Sequence, residues 1–265
     1  MKKLIVLMLV LATVFCFTAC SKSTDETQTE QTDKAYVQEK GTLVVGITDF
    51  EPMDYRDADG NWIGFDADMA KAFGEYLGVD VEFVEIDWDN KILELDSKSI
   101  DCVWNGMTLT DEVMNAMGCS NAYCDNAQVV VVPASEAAKY KDKDSVSALT
   151  FAVESGSAGE AAATEAGYTC VAVQSQSAAL MEVAAGTADA CVIDLLMAGA
   201  MIGEGTSYPD LTHTVALNSE KYGVGFRKDS DLAAALNEFF AQSYADGSMM
   251  TCAEKYGVQE SIVTQ

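Results

Sequence analysis

Two buried segments of the chain end in polar side chains that could contact a ligand. LELDSKSIDCVWNG and LMEVAAGTADACVID each run from an apolar helix end, through a turn of small residues and an aspartate, into an apolar strand. The first strand ends at Asn105 and the second at Asp194. In open α/β sheets, ligands gather at the carboxyl ends of the strands. The two similar units therefore predict two lobes that face one cleft.

Acid–base catalysis is a second chemistry that these residue types could perform. Glu154 and Asp194 would form a pair of catalytic carboxylates if their pKa values were suitably shifted. No nucleophile motif is present, and a catalytic triad would have to use the sole histidine, His213, in the strand-like HTVAL. No two cysteines form a CxxC pair, so the ligand spacing of a zinc site is missing. We expect no metal and no cofactor.

Apolar runs that alternate with amphipathic stretches predict the elements that position these side chains. TLVVGI, VEFVEI, DCVW, AQVVVV, TFAV, TCVAV, ACVI and YGVGF are predicted strands. DADMAKAFGEYLG places Met69, Phe73 and Leu77 on one helical face and ends at Gly78. SAALMEVAAG and SDLAAALNEFFAQSYADG are predicted as further helices. This alternation indicates an α/β protein with mainly parallel strands.

The first forty residues differ in composition from the rest of the chain. Lys2 and Lys3 precede an apolar run that ends in FTAC, which is typical of a secretory signal. The residues before Cys20 resemble the lipobox of bacterial lipoproteins, although Phe17 replaces the usual leucine. An ordinary cleaved signal is the alternative. We predict a lipoprotein signal peptide over residues 1–19, lipidation of Cys20, and a polar, disordered tether over residues 20–40.

The charge balance excludes one class of partner. The chain has 42 acidic and 16 basic residues, for a net charge of −26 at neutral pH. Such a surface repels phosphate backbones, so we expect no nucleic-acid binding. The charge says little about a small ligand, because most of these carboxylates are expected to be solvated.

Many motifs resemble, in the right order, those of the family 3 polar amino acid binding proteins of bacterial ABC importers. They are VGITDFEPMDYRDADGNWIGFDADMAKAF, IDWDN, IDCVWNGMTLTDE, NAYCDNAQVVVV, AVESGSAGE, GTADACVID and SEKYGVGFRKDSDL. The resemblance covers residues 42–257. It implies a fold of two α/β lobes joined by a two-strand hinge around a central cleft.

The resemblance also implies a domain layout, a location and partners. Lobe 1 is expected over residues 41–132 and 223–265, and lobe 2 over residues 133–222. The protein is expected to be a monomer that captures a small polar amino acid or related amine and delivers it to an ABC permease. Its lipid would hold it on the extracellular or periplasmic face of the cell membrane.

The resemblance assigns site residues one by one. Phe50 and Trp88 fall where relatives place aromatic walls, and Asp194 falls where a carboxylate receives the α-ammonium group of the ligand. Further predicted ligand contacts are Asn105, the Gly106 backbone, Thr108, Glu154 and Ser157. Core packing is the alternative for the aromatic residues, and a helix N-cap is a compatible role for Asp194.

Two positions depart from the family pattern. In NGMTLTDEVMNAM, Val113 stands where relatives carry an arginine that binds the ligand's α-carboxylate. In AVESGSAGE, Ala158 replaces a common threonine, and Glu154 occupies a position that is often apolar. The cleft is therefore expected to prefer a solute whose positive charge exceeds its negative charge, with Phe50, Trp88 and Trp104 as aromatic faces for it. Decarboxylated or amidated amines should then compete better here than in relatives that carry the arginine.

Two other functions stay open at this point. An enzyme on the same fold, similar to cyclohexadienyl dehydratase, would use the cleft carboxylates, and turnover of a bound compound would identify it. A sensory module is the third hypothesis, which the absence of a recognisable signalling domain disfavours.

Overall fold

The computed structural model describes residues 31–265. Their strands are β1 (Thr42–Ile47), β2 (Tyr55–Arg56), β3 (Trp62–Ile63), β4 (Asp80–Glu85), β5 (Cys102–Thr108), β6 (Gly118–Cys119), β7 (Cys124–Asn126), β8 (Gln128–Pro133), β9 (Thr150–Glu154), β10 (Thr169–Val173), β11 (Ala190–Asp194), β12 (Leu211–Ala216) and β13 (Glu220–Phe226). All eight strands predicted from the sequence are present.

The α-helices of the same residues are α1 (Asp33–Lys40), α2 (Phe65–Leu77), α3 (Lys91–Asp96), α4 (Asp111–Ala116), α5 (Ala158–Glu165), α6 (Gln176–Ala185), α7 (Leu195–Met201), α8 (Leu232–Asp246) and α9 (Ser248–Tyr256). Short 3₁₀ turns cover Trp88–Asn90, Ala134–Lys139 and Gln259–Ser261. The three helices predicted from apolar periodicity correspond to α2, α6 and α8.

The strands form two main sheets. The first has the order β4-β1-β5-β13-β6, and β7 also pairs with β13. In it β1 runs parallel to β4 and β5, whereas β13 is antiparallel to β5. The second has the order β10-β9-β11-β8-β12, with β9, β10 and β11 parallel and β8 antiparallel to β11. Each sheet therefore has a parallel part whose strands end at one edge.

The chain changes sheet twice, at positions that differ from the predicted lobe boundaries. It passes from the first sheet to the second between Asn126 and Gln128, and it returns between Ala216 and Glu220. The predicted boundaries at residues 132/133 and 222/223 fall inside β8 and β13. The reason is that the apolar run of β8 pairs with β11 and β12 of the second sheet. The composition of the run alone does not indicate this pairing.

Helix α2 illustrates how local sequence and burial agree. Met69, Phe73 and Leu77 are buried, as their spacing predicts. Gly78 ends the helix with φ of 76°, a left-handed conformation that glycine adopts without steric cost. Burial of this apolar face against the first sheet stabilises the helix more than its intrinsic propensity does.

Residues 33–40 correct part of the tether prediction, because they form helix α1 rather than an unfolded segment. Thr32 caps the helix by accepting the Ala35 amide, and Val37 is fully buried. Asp33 accepts two bonds from the buried Arg227 guanidinium, both at 3.0 Å. Tyr36 also packs against the core, and Lys40 forms a salt bridge with the buried Asp101, so several contacts together order a segment that looks polar in sequence. The predicted signal peptide, Cys20 and the first part of the tether lie outside the described residues.

Two further observations concern residues 31–265 alone. None of their helices is long and apolar enough to cross a membrane. Their six cysteines are all free thiols; Cys102 and Cys191 are buried, whereas Cys170 is half-buried.

Candidate functional site

A cavity of about 250 Å³ lies where the carboxyl ends of β5, β9 and β11 meet, between the two sheets. This is the position at which parallel α/β sheets bind ligands. All eight residues predicted to contact a ligand line the cavity: Phe50, Trp88, Asn105, Gly106, Thr108, Glu154, Ser157 and Asp194. Val113 lines it as well. The structure thus brings together residues that are up to 144 positions apart in sequence.

The apolar walls of the cavity come from Phe50 and Trp88. Phe50 is held edge-on against Tyr222, with ring centroids 6.3 Å apart, and Trp88 packs in an apolar cluster with Val113. Trp104 does not line the cavity, which corrects the expectation that it offers a third aromatic face. It is fully buried against Phe240 on the opposite side of β5, because successive side chains of a strand point to opposite faces.

Gly106 has to be glycine for two structural reasons. Its φ is 53°, and a Cβ atom there would lie 2.4 Å from Cε1 of Phe50. Its amide donates to the buried Asp66 carboxylate at 2.6 Å. The backbone is therefore fixed close to the cavity, and the predicted contact of this amide with a ligand would compete with Asp66.

The Asn105 side chain is fully occupied by protein groups. Its Oδ1 accepts from the Thr48 amide at 3.1 Å and from the Thr48 hydroxyl at 2.7 Å. Its Nδ2 donates to the Thr48 carbonyl at 3.0 Å and to Asp54 at 2.8 Å. An amide side chain has two N–H groups and two acceptor positions, and all are in use here. In this structure Asn105 positions the end of β1, and its predicted ligand contact stays a prediction.

Asp194 is buried at the centre of a hydrogen-bond network. Its Oδ1 accepts from Tyr222 at 2.7 Å, from Gln128 at 2.9 Å and from Asn126 at 2.5 Å. Its Oδ2 accepts from Gln176, which leaves acceptor capacity on this oxygen. Asp194 also occupies the N-cap position of α7, but its side chain makes no capping bond. The carboxylate is thus rigidly held at the cavity wall.

A second carboxylate, Glu220, lies behind Asp194 at the point where the chain returns to the first sheet. It shares the amide donors of Asp194, because Asn126 and Gln128 each donate to both carboxylates. Glu220 also accepts the Thr108 hydroxyl at 2.9 Å. Burial first, and then the charge of Glu220, raises the pKa of Asp194 to about 7. A cationic group in the cavity would offset both causes.

Glu154 is the least satisfied polar group of the site. It is only 3% exposed, and its Oε1 has no hydrogen-bond partner among residues 31–265. Burial, followed by the charge of Asp194, raises its pKa to about 8, while Gln176 and Lys91 act more weakly in the opposite direction. A buried acceptor without a donor is costly, so the geometry favours a ligand that supplies one.

Lys91 is a basic residue of the cavity that the sequence reasoning missed. It is 8% exposed, and its Nζ donates to the Gly156 carbonyl at 3.0 Å and to the Trp88 carbonyl at 3.2 Å. Burial lowers the pKa of Lys91, whereas Glu112, Asp89 and Glu154 raise it. The cavity therefore contains a basic side chain, although Val113 replaces the arginine of the relatives.

Ser157 lies at the start of α5, where its hydroxyl accepts the Glu160 amide at 3.0 Å. The next two residues, Ala158 and Gly159, begin the helix, and the first amides of a helix have no partner within it. Ala158 lines the cavity, so the positive end of this helix faces the ligand space.

Gln176 is a further residue that sequence reasoning missed. It lines the cavity, donates to Asp194, and accepts the Asp194 amide at 2.8 Å. It follows the N-cap of α6, Ser175, which marks the helix start in the sequence but not the contact with Asp194. No group of three or more histidine, cysteine, aspartate or glutamate side chains within residues 31–265 is arranged to hold a metal ion.

Comparison with known proteins agrees with this architecture. Residues 43–259 match the model of the bacterial extracellular solute-binding proteins, family 3. The chain is 27% identical to the arginine-binding extracellular protein ArtP of Bacillus subtilis, over 97% of this chain and 98% of the relative. It is 26% identical to the L-cystine-binding protein TcyJ of Escherichia coli K12, over 83% of this chain and 84% of the relative.

A solved structure supports the fold. The ancestral amino acid-binding protein AncCDT-1, described as a precursor of cyclohexadienyl dehydratase, superposes with a TM-score of 0.77. It is 30% identical and covers 84% of this chain and 98% of that one. This comparison confirms the predicted fold of two α/β lobes around a central cleft.

Proposed function

We propose, from the premise that the chain belongs to family 3 of the bacterial extracellular solute-binding proteins, that it captures a small amino acid or related amine and delivers it to an ABC permease. The chain belongs to this family, because the family model matches residues 43–259. The kind of solute, the permease and the lipid anchor are parts of the proposal.

The observation that carries the proposal is the pair of buried carboxylates in the cavity. Asp194 is held by four donor side chains and retains acceptor capacity, and Glu154 has an oxygen without any partner among residues 31–265. Charge-assisted hydrogen bonds from an ammonium or guanidinium group are strong in such a dry site. These two buried carboxylates outnumber Lys91, the one lysine among the described residues that lines the cavity, so the proposed solute has more positive than negative charge.

The proposed location is supported by the N-terminal sequence, and the proposed monomeric state by the resemblance to the family. A lipid on Cys20 would hold the domain on the outer face of the cell membrane, next to its permease, and a monomer is sufficient for this task. Two acyl chains on one cysteine give stable membrane attachment.

Thermal unfolding in the presence of candidate solutes tests the proposal. The mature domain is heated with amino acids, betaines, polyamines and short peptides, and the Asp194→Asn variant serves as the matched control. A solute at one hundred times its Kd should raise the Tm by about 5–10 °C. The shift should be largest for cationic solutes and smaller in the variant. A panel in which no amino acid or amine moves the Tm would overturn the proposal.

Catalysis on the same fold is the second candidate function. It is favoured by one observation, the raised pKa of the buried Glu154, since such a carboxyl group could act as a general acid. The structural relative linked to a dehydratase is itself described as an amino acid-binding protein. Recovery of the bound solute unchanged after prolonged incubation would support binding, and a new product would support catalysis.

A further inference from the structure

Lys91 is the one basic side chain among residues 31–265 that lines the cavity. Its ammonium group has three N–H donors, and two of them bond to the Trp88 and Gly156 carbonyls. The third has no acceptor among the described residues. Lys91 also forms no salt bridge with any of their carboxylates, although Glu112, Asp89 and Glu154 are near enough to affect it. A buried cation without an ion-pair partner is costly unless an anion comes to it.

The start of helix α5 adds to the positive electrostatic potential around the Lys91 ammonium group. Its acceptor Gly156 directly precedes Ser157, the N-cap of α5, so the ammonium lies at the positive end of that helix. The amides of Ala158 and Gly159 remain free of partners inside the helix, and Ala158 lines the cavity. Helix starts bind anions through such amides. A buried lysine and a helix start therefore converge on one place in the cavity wall.

The two backbone acceptors also fix where the ammonium can be. Trp88 belongs to a turn of the first lobe, whereas Gly156 follows β9 of the second sheet. The Gly156 backbone is tightly packed, because a Cβ atom at this residue would lie 2.6 Å from Oδ1 of Asp89. The cation is thus held between both walls of the cleft rather than on a freely moving side chain.

We propose that Lys91 binds the carboxylate of the solute, together with the first amides of α5, and so takes the place of a cation that position 113 does not supply. Asp194 and Glu154 then receive two cationic groups. Asp111 and Glu112 also line the cavity, but they are exposed. The buried charges of the lining are then one positive and two negative, which match an α-amino acid with a cationic side chain. This assignment deepens the proposed function and rests on it, and it favours the intact amino acid over its decarboxylated amine.

The test compares solutes that differ only in the carboxylate. L-arginine, L-argininamide and agmatine are titrated calorimetrically into the wild type and into Lys91→Met, Lys91→Arg and Lys228→Met. Lysine, lysinamide and cadaverine form a second set. Lys228 is a matched control, because its Nζ also donates to two backbone carbonyls, of Met114 and Asn115, but it is exposed and outside the cavity.

The expected result is a loss of affinity that is much larger for the amino acid than for its amide or amine. Lys91→Met should weaken binding of the amino acid on the order of 100-fold and binding of the amide and amine less than about threefold. Lys91→Arg should retain the preference for the acid, and Lys228→Met should change neither. If neither cationic set binds, the solute found by the thermal screen is compared with its own amide in the same variants.

Two results would overturn the role of Lys91 while leaving the proposed function intact. One is an equal loss for acid and amide in Lys91→Met, which a purely structural bridge across the cleft would produce. The other is wild-type binding of the amide or amine as tight as that of the amino acid. Binding of no amino acid and no amine by the wild type would instead overturn the proposed function, and this role with it.

Discussion

Asp194 is the side chain whose replacement has the most direct consequence for binding. Asp194→Ala removes one partner of a buried charge pair, so solute affinity should fall by about 3–5 kcal/mol, on the order of a hundredfold or more. It also leaves the Tyr222 hydroxyl and the buried Gln176 amide without an acceptor, whereas Gln128 keeps its bond to Glu220, so the free energy of unfolding should fall by about 1–3 kcal/mol. Calorimetric titration and denaturant unfolding measure the two effects separately.

Asp194→Asn serves as the control because it keeps the shape and one acceptor oxygen but removes the charge. Its stability should lie closer to that of the wild type, while its solute affinity should stay low. An unchanged Kd in both variants would rule out Asp194 as the contact for the cationic group.

The titration of Glu154 should make the free energy of unfolding of the solute-free protein depend on pH. Its pKa is raised from 4.5 to about 8 in the folded state, so the folded chain holds a proton that the unfolded chain releases. Stability from this group is fully present below pH 4.5 and is lost as pH rises to about 8. The wild type should therefore lose up to a few kcal/mol of unfolding free energy over this range relative to Glu154→Gln, as measured by denaturant unfolding.

Solute affinity should change with pH in the opposite direction to the stability of the solute-free protein. A cationic solute favours the ionised form of Glu154, so affinity should increase between about pH 6 and pH 8, and binding should release protons. Calorimetry in buffers of different ionisation enthalpy detects the released protons. Glu154→Gln should flatten the pH dependence; an equally steep dependence in this variant would assign it to another group, with Asp194 as the first candidate.

At the scale of elements, helix α1 should stabilise the domain without affecting the cavity. It covers the amino ends of β1 and β5, whereas the cavity lies at their carboxyl ends. Deletion of residues 31–40 exposes the Val37 contact and leaves Arg227 without Asp33. The free energy of unfolding should fall by about 2–4 kcal/mol, measured by chemical denaturation, with an unchanged solute Kd.

The Asp33→Asn variant separates the ion pair from the apolar contact. It keeps α1 and Val37 in place and weakens only the bond to Arg227, which also contacts Asp101 at 3.2 Å. About half of the loss seen on deletion is expected. A deletion variant as stable as the wild type would show that α1 adds nothing to the folded domain.

At the scale of the whole molecule, attachment to the membrane depends on Cys20. If this residue is lipidated, the wild type should sediment with membranes, and Cys20→Ala should give soluble protein or uncleaved precursor. Fractionation of the host cells followed by immunoblotting distinguishes these outcomes. Cys16→Ala is the matched control and should leave the fractionation unchanged. Wild-type protein found entirely in the soluble fraction would contradict lipidation.

The amino-acid sequence alone was sufficient for the longer strands, for three long helices, and for the family fold, but not for the short strands β2, β3, β6 and β7. Strand runs such as TLVVGI and ACVI, and the apolar spacing of Met69, Phe73 and Leu77, are local signals that burial reinforces. The eight predicted cavity residues came from the resemblance to the family, which short local motifs carry. These motifs are informative because the end of a strand and the start of a helix are set by neighbouring residues.

Only the tertiary structure determined which charges share the cavity. Lys91 follows IDWDN at the start of a short helix and looks like a solvated lysine, yet the turn at Gly156 of the other lobe buries it. Likewise, β8 joins the second sheet because of partners found far along the chain. Contacts between distant segments depend on how the helices and strands pack against each other. Local sequence patterns do not predict that packing. The charge balance of the site is therefore a property of the folded chain.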